Sequence, residues 1–220
     1  MIRLHGFYRS SATYRVRIAL NLKALDYVSV EHDLTQGEHR LAPYLRLNPQ
    51  GLVPALEIDG GVLTQSQAII EYLDEVYPGV PLLPSTPRDR ARVRALYQLI
   101  AADTHHVTAM RVGAYLRTQQ GANEQQVREW QHHWLSESFS ALEALLDSGG
   151  PAARFAHGNQ PTLADIALVP QVYAARRLNL AIEPWPNLSR VVENALAEPA
   201  FIRAHPDNHA VPAQSLEALT

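Results

Sequence analysis

The hydrophobic pattern of the first 80 residues alternates between short strand-like runs and helical runs. Four short runs are predicted to be strands: residues 2–7, 27–32, 55–58 and 62–64. Residues 27–32 alternate in polarity and contain Val and Tyr, and the runs 55–58 and 62–64 flank Asp59-Gly60-Gly61, a good hairpin turn. Three runs have helical apolar spacing and cover residues 12–24, 43–47 and 66–76. The resulting order, β-α-β-α-β-β-α, predicts an α/β domain.

Beyond this region the pattern is helical and predicts no strand. Helical periods cover residues 88–118, 123–147 and 187–197. Another helix is predicted to begin after Thr162, because Thr162 and Asp165 have the spacing of a capping box, and to kink at Pro170. We interpret Thr162 and Asp165 as helix-folding residues. The second part of the chain is therefore predicted to be all-α.

The two parts are joined by a proline-rich segment. Four prolines fall within residues 78–87, which is typical of a stiff linker. We therefore place the first domain at residues 1–80, the linker at 81–87 and the second domain at 88–220.

The composition of the chain gives no indication of a nucleic-acid or membrane partner. The chain has 220 residues and is 46% hydrophobic, and its formal charge of -3 gives no reason to expect nucleic acid or an anionic membrane surface. The N-terminus turns polar too early for a signal peptide, and no apolar run approaches the ~20 residues of a membrane span. We therefore expect a cytoplasmic protein without a membrane partner.

The chain has no cysteine, which excludes disulfides, thiolate metal sites, a thiol nucleophile of its own and thioredoxin-type redox chemistry. Its ten histidines include adjacent pairs, which point about 100° apart on a helix, but no His-x-x-x-His within a helix. No metal site is predicted.

The passage from the first strand to the first helix carries two serines, Ser10 and Ser11. A helix N-terminus exposes free N–H groups and a positive dipole end, which together hold anions, and hydroxyls there can donate hydrogen bonds. The same serines also suit ordinary N-capping. If the anion is a thiolate, it must arrive with a ligand.

Four motifs together resemble the zeta class of glutathione transferases, and within it the maleylacetoacetate and maleylpyruvate isomerases. They lie at Arg9–Leu20, Leu47–Leu56, Gln65–Leu73 and Ala164–Val172. The resemblance implies the glutathione-transferase fold, with a thioredoxin-like N-terminal domain, an all-helical C-terminal domain and usually a homodimer. Where the family has Ser-Ser-Cys, this chain has Ala12 as the third residue.

The resemblance also implies glutathione as the cofactor. Ser10 would stabilise its thiolate with support from Ser11, and Arg9 would complete the catalytic group by pointing into the substrate pocket. A hydrogen bond to a charged group contributes about 1.5–3 kcal/mol. Since Ala12 only removes an oxidisable side chain, the predicted role of Ser10 is unaffected.

Three further segments are implied to bind glutathione. From the residues alone Pro54 would be trans, but the matching proline of the family is cis, so that the backbone of Val53 pairs with the ligand's cysteinyl backbone. Gln65 and Ser66 would bind the γ-glutamyl carboxylate, although Ser66 also suits a plain N-cap. His39 would lie near the glycyl end.

Arginines are implied to bind the substrate, a small dicarboxylate. Arg9, Arg111 and the pair Arg176 and Arg177 supply guanidinium groups, which bind carboxylates in bidentate fashion. The family pattern favours Arg177 over Arg176. His105 falls at a family position that contacts glutathione or substrate.

The resemblance predicts a glutathione-dependent cis–trans isomerase that works by reversible thiolate addition to a cis double bond. Two alternatives stay open: a general zeta-class transferase acting on small α-halo acids, and a non-catalytic glutathione-binding protein. Maleylacetoacetate and maleylpyruvate differ at the acyl end, and the sequence does not distinguish them.

Overall fold

The computed structural model describes residues 1–147 and 153–209. They form two compact units. The first contains Met1–Val80 together with the described residues from Pro199 onward, and the second contains Pro81–Glu198.

The first unit is built on a four-stranded sheet. Its strands are β1 (Ile2–Gly6), β2 (Tyr27–Glu31), β3 (Ala55–Ile58) and β4 (Gly61–Thr64). They lie in the order β2-β1-β3-β4. β1 runs parallel to β2 and antiparallel to β3, and β3 pairs antiparallel with β4. The sheet is therefore mixed, with β1 as a central strand.

Three helices accompany the sheet: α1 (Ser11–Leu22), α2 (Ala42–Leu47) and α3 (Ser66–Val76). α1 provides the crossover that parallel neighbours need between β1 and β2. The core consists of apolar side chains from the strands and from α1 and α3, which pack together: Leu4, Val16, Ile18, Leu20, Leu56, Ile69, Ile70 and Leu73. The predicted order β-α-β-α-β-β-α is confirmed.

The second unit is helical, and no strand occurs in its described residues, 81–147 and 153–198. Its helices are α4 (Pro87–Gln98), α5 (His105–Thr108), α6 (Met110–Gln120), α7 (Glu124–Asp147), α8 (Leu163–Arg177) and α9 (Pro186–Leu196). The helical pattern predicted over residues 88–118 is divided among α4, α5 and α6. A π-helical segment, Leu99–Thr104, follows α4, and the extended backbone of Ala109 (φ -64°, ψ 150°) separates α5 from α6.

The predicted linker begins with residues that pack inside the second unit. The side chains of Leu82 and Leu83 are buried, and the backbone N–H of Leu163 donates to the carbonyl of Leu82 at 2.8 Å. The prolines therefore shape a segment whose start is anchored beside the beginning of α8.

The end of the predicted helical domain differs from the expectation. A short helix, α10 (Pro199–Ala204), belongs to the first unit and packs on α1. Arg17 Nε donates to the carbonyl of Ala204 and Asn21 Nδ2 to that of Ala200, both at 3.0 Å. The last four carbonyls of a helix lack partners within it, and Arg17 supplies a donor to the carbonyl of Ala204, the last residue of α10. Such a contact between distant parts of the chain leaves no local sequence signal.

The predicted start of α8 is confirmed in detail. Thr162 is the N-cap of a complete capping box, and Asp165 accepts hydrogen bonds from the Thr162 N–H (2.8 Å), the Thr162 hydroxyl (3.0 Å) and the Ala156 N–H (2.8 Å). Burial raises the pKa of Asp165 to about 6, so it is mainly ionised above neutral pH. The helix continues through Pro170 to Arg177.

We expect Asp165→Asn to lower the free energy of unfolding by about 2–4 kcal/mol, since the amide would set its own N–H group against a backbone N–H donor. Urea unfolding followed by circular dichroism at pH 7.5 measures this. Asp26→Asn makes the same change at an exposed site and should have little effect. An Asp165→Asn variant as stable as the wild type would contradict the prediction.

Three polar side chains, two on the neighbouring strands β1 and β3 and that of His32 directly after β2, form a chain of hydrogen bonds in the first unit. Glu57 Oε1 lies 2.6 Å from His5 Nε2, and His5 Nδ1 lies 3.0 Å from His32 Nε2. The two imidazole rings stack, and His32 packs edge-on against Tyr44 at 4.6 Å. Burial and the neighbouring His5 and His39 lower the pKa of His32, which Glu38 opposes.

We expect stability to fall more steeply on acidification in the wild type than in a His32→Gln variant. Because its pKa is lowered from 6.5, folded His32 binds fewer protons than unfolded His32 as the pH falls below that value, so stability is lost. Urea midpoints between pH 7.5 and 5.5 check this. The exposed His133, changed to Gln, should keep the wild-type profile; identical profiles for wild type and His32→Gln would refute the expectation.

Candidate active site

Four segments of the first unit meet at one end of the sheet. β1 and β2 are parallel and end side by side at Gly6 and Glu31, whereas β3 begins at Ala55 beside His5, and β4 ends at Thr64 beside Ala55. The segments that follow β1, β2 and β4 and precede β3 therefore share this end of the sheet. They carry the predicted residues Arg9, Ser10, Ser11, His39, Val53, Pro54, Gln65 and Ser66.

Ser10 is the N-cap of α1, and its hydroxyl oxygen accepts from the Thr13 N–H at 3.3 Å. The ordinary capping role is thus present. A hydroxyl that accepts one hydrogen bond can still donate its own hydrogen, here beside the positive end of a 12-residue helix. Ser11, the first helical residue, is buried. Gly6 allows this close packing of strand end and helix start, because a Cβ there would collide with the Thr13 side chain.

Arg9 places a cation next to this helix start. Its guanidinium carbon lies 5.4 Å from the centre of the Phe7 ring and 5.1 Å from that of Tyr8, which fixes the group by cation–π contact. Arg9 Nε is buried and has no hydrogen-bond partner in the described residues. A buried N–H group without a partner suits a ligand that supplies a hydrogen-bond acceptor.

The Val53–Pro54 peptide bond is cis, which confirms the expectation from the family resemblance. Neither the N–H nor the C=O group of Val53 makes a hydrogen bond within the part of the chain that the structure describes. Val53 lies two residues before β3, separated from it by Pro54, and its two backbone groups are available for an extended ligand to pair with. That pairing itself stays a prediction.

The start of α3 differs from the plain N-cap expected at Ser66. Gln65 is the N-cap, with φ 69° and ψ 115°, and Ser66 is the first helical residue and buried. The side chain of Gln65 donates to Gln50 Oε1 at 2.8 Å. Positive φ in a residue other than glycine is strained, and such residues cluster at ligand sites where surrounding contacts hold them.

His39 lies in a single 3₁₀ turn, Glu38–Arg40, after β2. Burial and the adjacent Arg40 lower its pKa, so the ring is neutral at pH 7. Its Nδ1 atom is buried with no hydrogen-bond partner in the described residues, which leaves the ring able to bind a ligand group. Its predicted contact with the glycyl end stays a prediction.

The second unit gathers His105 and Arg111 around α5. His105 begins this short helix directly after the π segment, and Arg111 Nη2 lies 3.2 Å from Nδ1 of His106. Because a guanidinium only donates, His106 accepts through Nδ1. α7 contacts α5 through Trp130, whose Nε1 donates to the carbonyl of Val107 at 2.8 Å.

Arg176 and Arg177 are both exposed in the last turn of α8. α8 contacts α5 through Gln171 Nε2, which lies 3.5 Å from the hydroxyl of Thr108, and His132 on α7 contacts the carbonyl of Leu178 at 2.8 Å. α5, α7 and the end of α8 are therefore neighbours. The preference for Arg177 over Arg176 stays a prediction.

Two buried polar residues beside Val53, Tyr44 and Asn48, have no predicted role. Both hydrogen-bond to the carbonyl of Leu52, the residue before Val53. The only sequence signal was the Asn48-Pro49 pair inside the second motif of the family resemblance. The contact between His5 and His32 was also not predicted, because residues 27 positions apart become neighbours only through strand pairing.

Among residues 1–147 and 153–209, no helix has both the length and the apolar character that crossing a membrane requires. Within the same ranges, no three side chains of His, Cys, Asp or Glu are grouped as a metal ion would need.

The sequence matches two family models. The model of the glutathione S-transferase N-terminal domain matches residues 4–81, and the model of the glutathione S-transferase C-terminal domain matches residues 124–194. The first match covers most of the first unit and ends at Pro81, the first residue of the second unit, and the second match lies within the second unit.

Individual proteins are similar over nearly the whole chain. A maleylacetoacetate isomerase of Pseudomonas aeruginosa is 48% identical over 94% of this chain and 97% of its own length. The holo structure of a maleylpyruvate isomerase, described as a bacterial zeta-class glutathione S-transferase, is 42% identical with a TM-score of 0.92, covering 96% of this chain and 99% of that one. A maleylacetoacetate isomerase from Anaeromyxobacter dehalogenans, with dicarboxyethyl glutathione and citrate in its active site, is 39% identical with a TM-score of 0.85, covering 98% and 96%.

These similarities agree with the geometry of both units. The sheet end carries a serine-capped helix, a cis-proline turn and a strained helix start, and the helical unit follows it in the chain. Because the domain models match both parts and the identities extend over more than nine tenths of the chain, it belongs to the zeta class of the glutathione S-transferase family.

Proposed function

We propose that this protein is a glutathione-dependent cis–trans isomerase of maleylacetoacetate or maleylpyruvate. The observation that carries the proposal is the end of the sheet in the first unit. There, the Ser10 hydroxyl at a helix N-terminus lies at the same end of the sheet as Val53, whose backbone N–H and C=O make no hydrogen bond within the described residues. The chain has no cysteine of its own. The similarity to isomerases of both substrates supports the reaction class.

The residues at this site suit glutathione. Its peptide backbone would pair with Val53, its γ-glutamyl carboxylate would take the N–H groups at Gln65 and Ser66, and His39 would meet its glycyl end. Arg9 Nε and His39 Nδ1 are buried polar atoms without hydrogen-bond partners among the described residues, as expected where a polar ligand completes the site.

Glutathione, when bound, supplies the thiol that adds reversibly to the cis double bond. Ser10 donates a hydrogen bond to the sulfur and thereby favours the thiolate, Ser11 supports it, and the positive end of α1 acts in the same direction. One similar structure holds dicarboxyethyl glutathione. Such a group is what remains when a thiol adds across the double bond of a four-carbon unsaturated diacid, which supports this chemistry.

The substrate's carboxylates require cations. We assign Arg9, Arg111 and Arg177 to bind them, with Arg176 as the alternative to Arg177. His105 would bind glutathione or substrate. A guanidinium that holds a carboxylate while the former double bond rotates keeps the substrate correctly oriented for elimination of the thiol.

We also propose that the chain acts as a homodimer in the cytoplasm. Support for the dimer comes from the family and from exposed apolar side chains on the first unit, Val62 on the edge strand β4 and Val76 at the end of α3, which suit burial against a second copy. Support for the location comes from a sequence without cysteine, which suits a reducing compartment.

We expect Ser10→Ala to lower kcat/KM for isomerisation about 10- to 100-fold, because one hydrogen bond to the thiolate is lost. The rate is measured from the change in absorbance of the maleyl substrate with glutathione present, and the amount of bound thiolate is measured from ultraviolet difference spectra. Thr86→Ala removes a helix cap of similar geometry in the second unit, where Thr86 accepts from the Asp89 N–H at 3.2 Å, and should reduce stability without reducing the rate. Full activity of Ser10→Ala would refute the assignment of Ser10, and turnover of α-halo acids without maleyl acids would refute the isomerase.

We expect Arg177→Ala to raise KM for the maleyl substrate about 10- to 100-fold and to leave KM for glutathione unchanged, since a bidentate carboxylate contact is lost. Arg176→Ala is its matched control, because both side chains are exposed in the same helical turn. Initial rates with each substrate varied in turn measure both. The reverse pattern would show that Arg176 binds the substrate.

A further inference from the structure

The carbonyl oxygen of Leu52 accepts two side-chain hydrogen bonds. Tyr44 donates its hydroxyl at 2.7 Å and Asn48 donates Nδ2 at 2.6 Å. Both side chains are almost fully buried, with relative exposures of 1% for Tyr44 and 3% for Asn48. Two short, buried donors on one loop carbonyl fix the orientation of its peptide group.

That peptide group is the one whose N–H belongs to Val53. In a planar trans peptide the C=O and the N–H point in opposite directions, so fixing the Leu52 oxygen also aims the Val53 N–H. The Val53 N–H makes no hydrogen bond within the described residues. It therefore points away from its two anchors with its donor capacity unused.

Asn48 is held so that only its amide nitrogen can face Leu52. Its Oδ1 accepts from the Gln50 N–H at 3.1 Å, and its own carbonyl accepts from the Gly51 N–H at 2.9 Å. Gly51 has φ +58°, which lets the chain turn back toward Leu52. Each end of the Asn48 side chain therefore has a defined partner, and the turn from 48 to 52 is closed around it.

Tyr44 reaches Leu52 from α2, and its ring is packed edge-on against His32 at 4.6 Å. Burial raises the pKa of its hydroxyl to about 12, so the group keeps its proton and remains a donor at every pH at which the protein would be assayed. The Tyr44 hydroxyl is therefore a permanent anchor for the Leu52 carbonyl.

The same turn connects to the second ligand-binding segment. Gln50, whose N–H bonds Asn48, accepts through Oε1 from Gln65 Nε2 at 2.8 Å. Gln65 is the strained N-cap of α3. Asn48 thus connects the segment that presents Val53 with the segment that presents the N-terminus of α3.

We propose that Tyr44 and Asn48 are positioning residues for glutathione: they hold the Leu52–Val53 peptide so that the Val53 N–H is already aimed at the ligand's cysteinyl backbone. This inference rests on the proposed function, because it takes glutathione as the ligand. The benefit is preorganisation, since the loop does not have to be ordered when the ligand binds. Neither residue needs to touch glutathione.

The test uses the full-length chain and two conservative changes. Tyr44→Phe removes one hydroxyl and keeps the packed ring, and Asn48→Asp keeps the size and the acceptor for Gln50 but places an oxygen against the Leu52 carbonyl. Tyr72→Phe is the matched control, because its hydroxyl also donates to an oxygen of the same unit, Asp59 Oδ2 at 2.6 Å, in the turn between β3 and β4. Calorimetry gives Kd for glutathione, initial rates give KM and kcat, and thermal melting reports folding.

We expect Tyr44→Phe to weaken glutathione binding about 3- to 10-fold and Asn48→Asp more than 10-fold, with KM for glutathione rising in parallel. At saturating glutathione, kcat should stay within about twofold of the wild type, since no group at the reacting atoms changes. Tyr72→Phe should leave Kd and KM unchanged.

Each other outcome decides between the proposals. Lower melting temperatures with unchanged Kd and KM in both variants would show a purely structural role and overturn the inference while the proposed function stands. If the wild type turns over no maleyl acid but both variants bind glutathione more weakly than the wild type does, the inference is supported and the proposed isomerase is overturned. A wild type that does not bind glutathione would overturn both.

Discussion

The position of β1 between a parallel and an antiparallel neighbour is the constraint on which the site depends. Parallel pairing with β2 and antiparallel pairing with β3 bring the ends of two strands and the beginning of a third to one end of the sheet. β4 adds the start of α3 to the same end. A shift in the register of β3 against β1 would separate Ser10 from Val53 and would also turn the buried side chains of β3 outward.

Buried polar groups stabilise the loops that this arrangement brings together. Arg17 is almost fully buried and donates to the carbonyl of Tyr8, just before Arg9 and Ser10, and to that of Ala204 in α10. Tyr44 and Asn48 perform a comparable task for Leu52. Loop carbonyls need donors when they leave water, and a side chain that supplies one fixes the loop in a single conformation. The orientation of the backbone that we assign to glutathione is therefore fixed by buried residues that donate to the neighbouring carbonyls.

The second unit uses the same principle at the start of α8. Asp165 satisfies two backbone N–H groups and one hydroxyl from a fully buried position, and these bonds balance the cost of burying a carboxylate. α8 in turn supplies Gln171 to α5 and carries Arg176 and Arg177 in its last turn. A helix start without catalytic groups thus positions the residues that we assign to the substrate.

The sequence by itself determined the order of strands and helices in residues 1–80, the capping box of α8 and the serine cap of α1, because hydrophobic periodicity and capping are local properties. The family resemblance added the cis peptide before Pro54, which propensity alone would have missed. Only the tertiary structure decided that α10 joins the first unit, that a π segment interrupts the helix after α4, and that Gln65 rather than Ser66 caps α3. It also decided that Tyr44 and Asn48 converge on one carbonyl. These features depend on contacts between residues distant in the chain or on backbone angles that packing imposes, and neither leaves a periodic signal in the sequence.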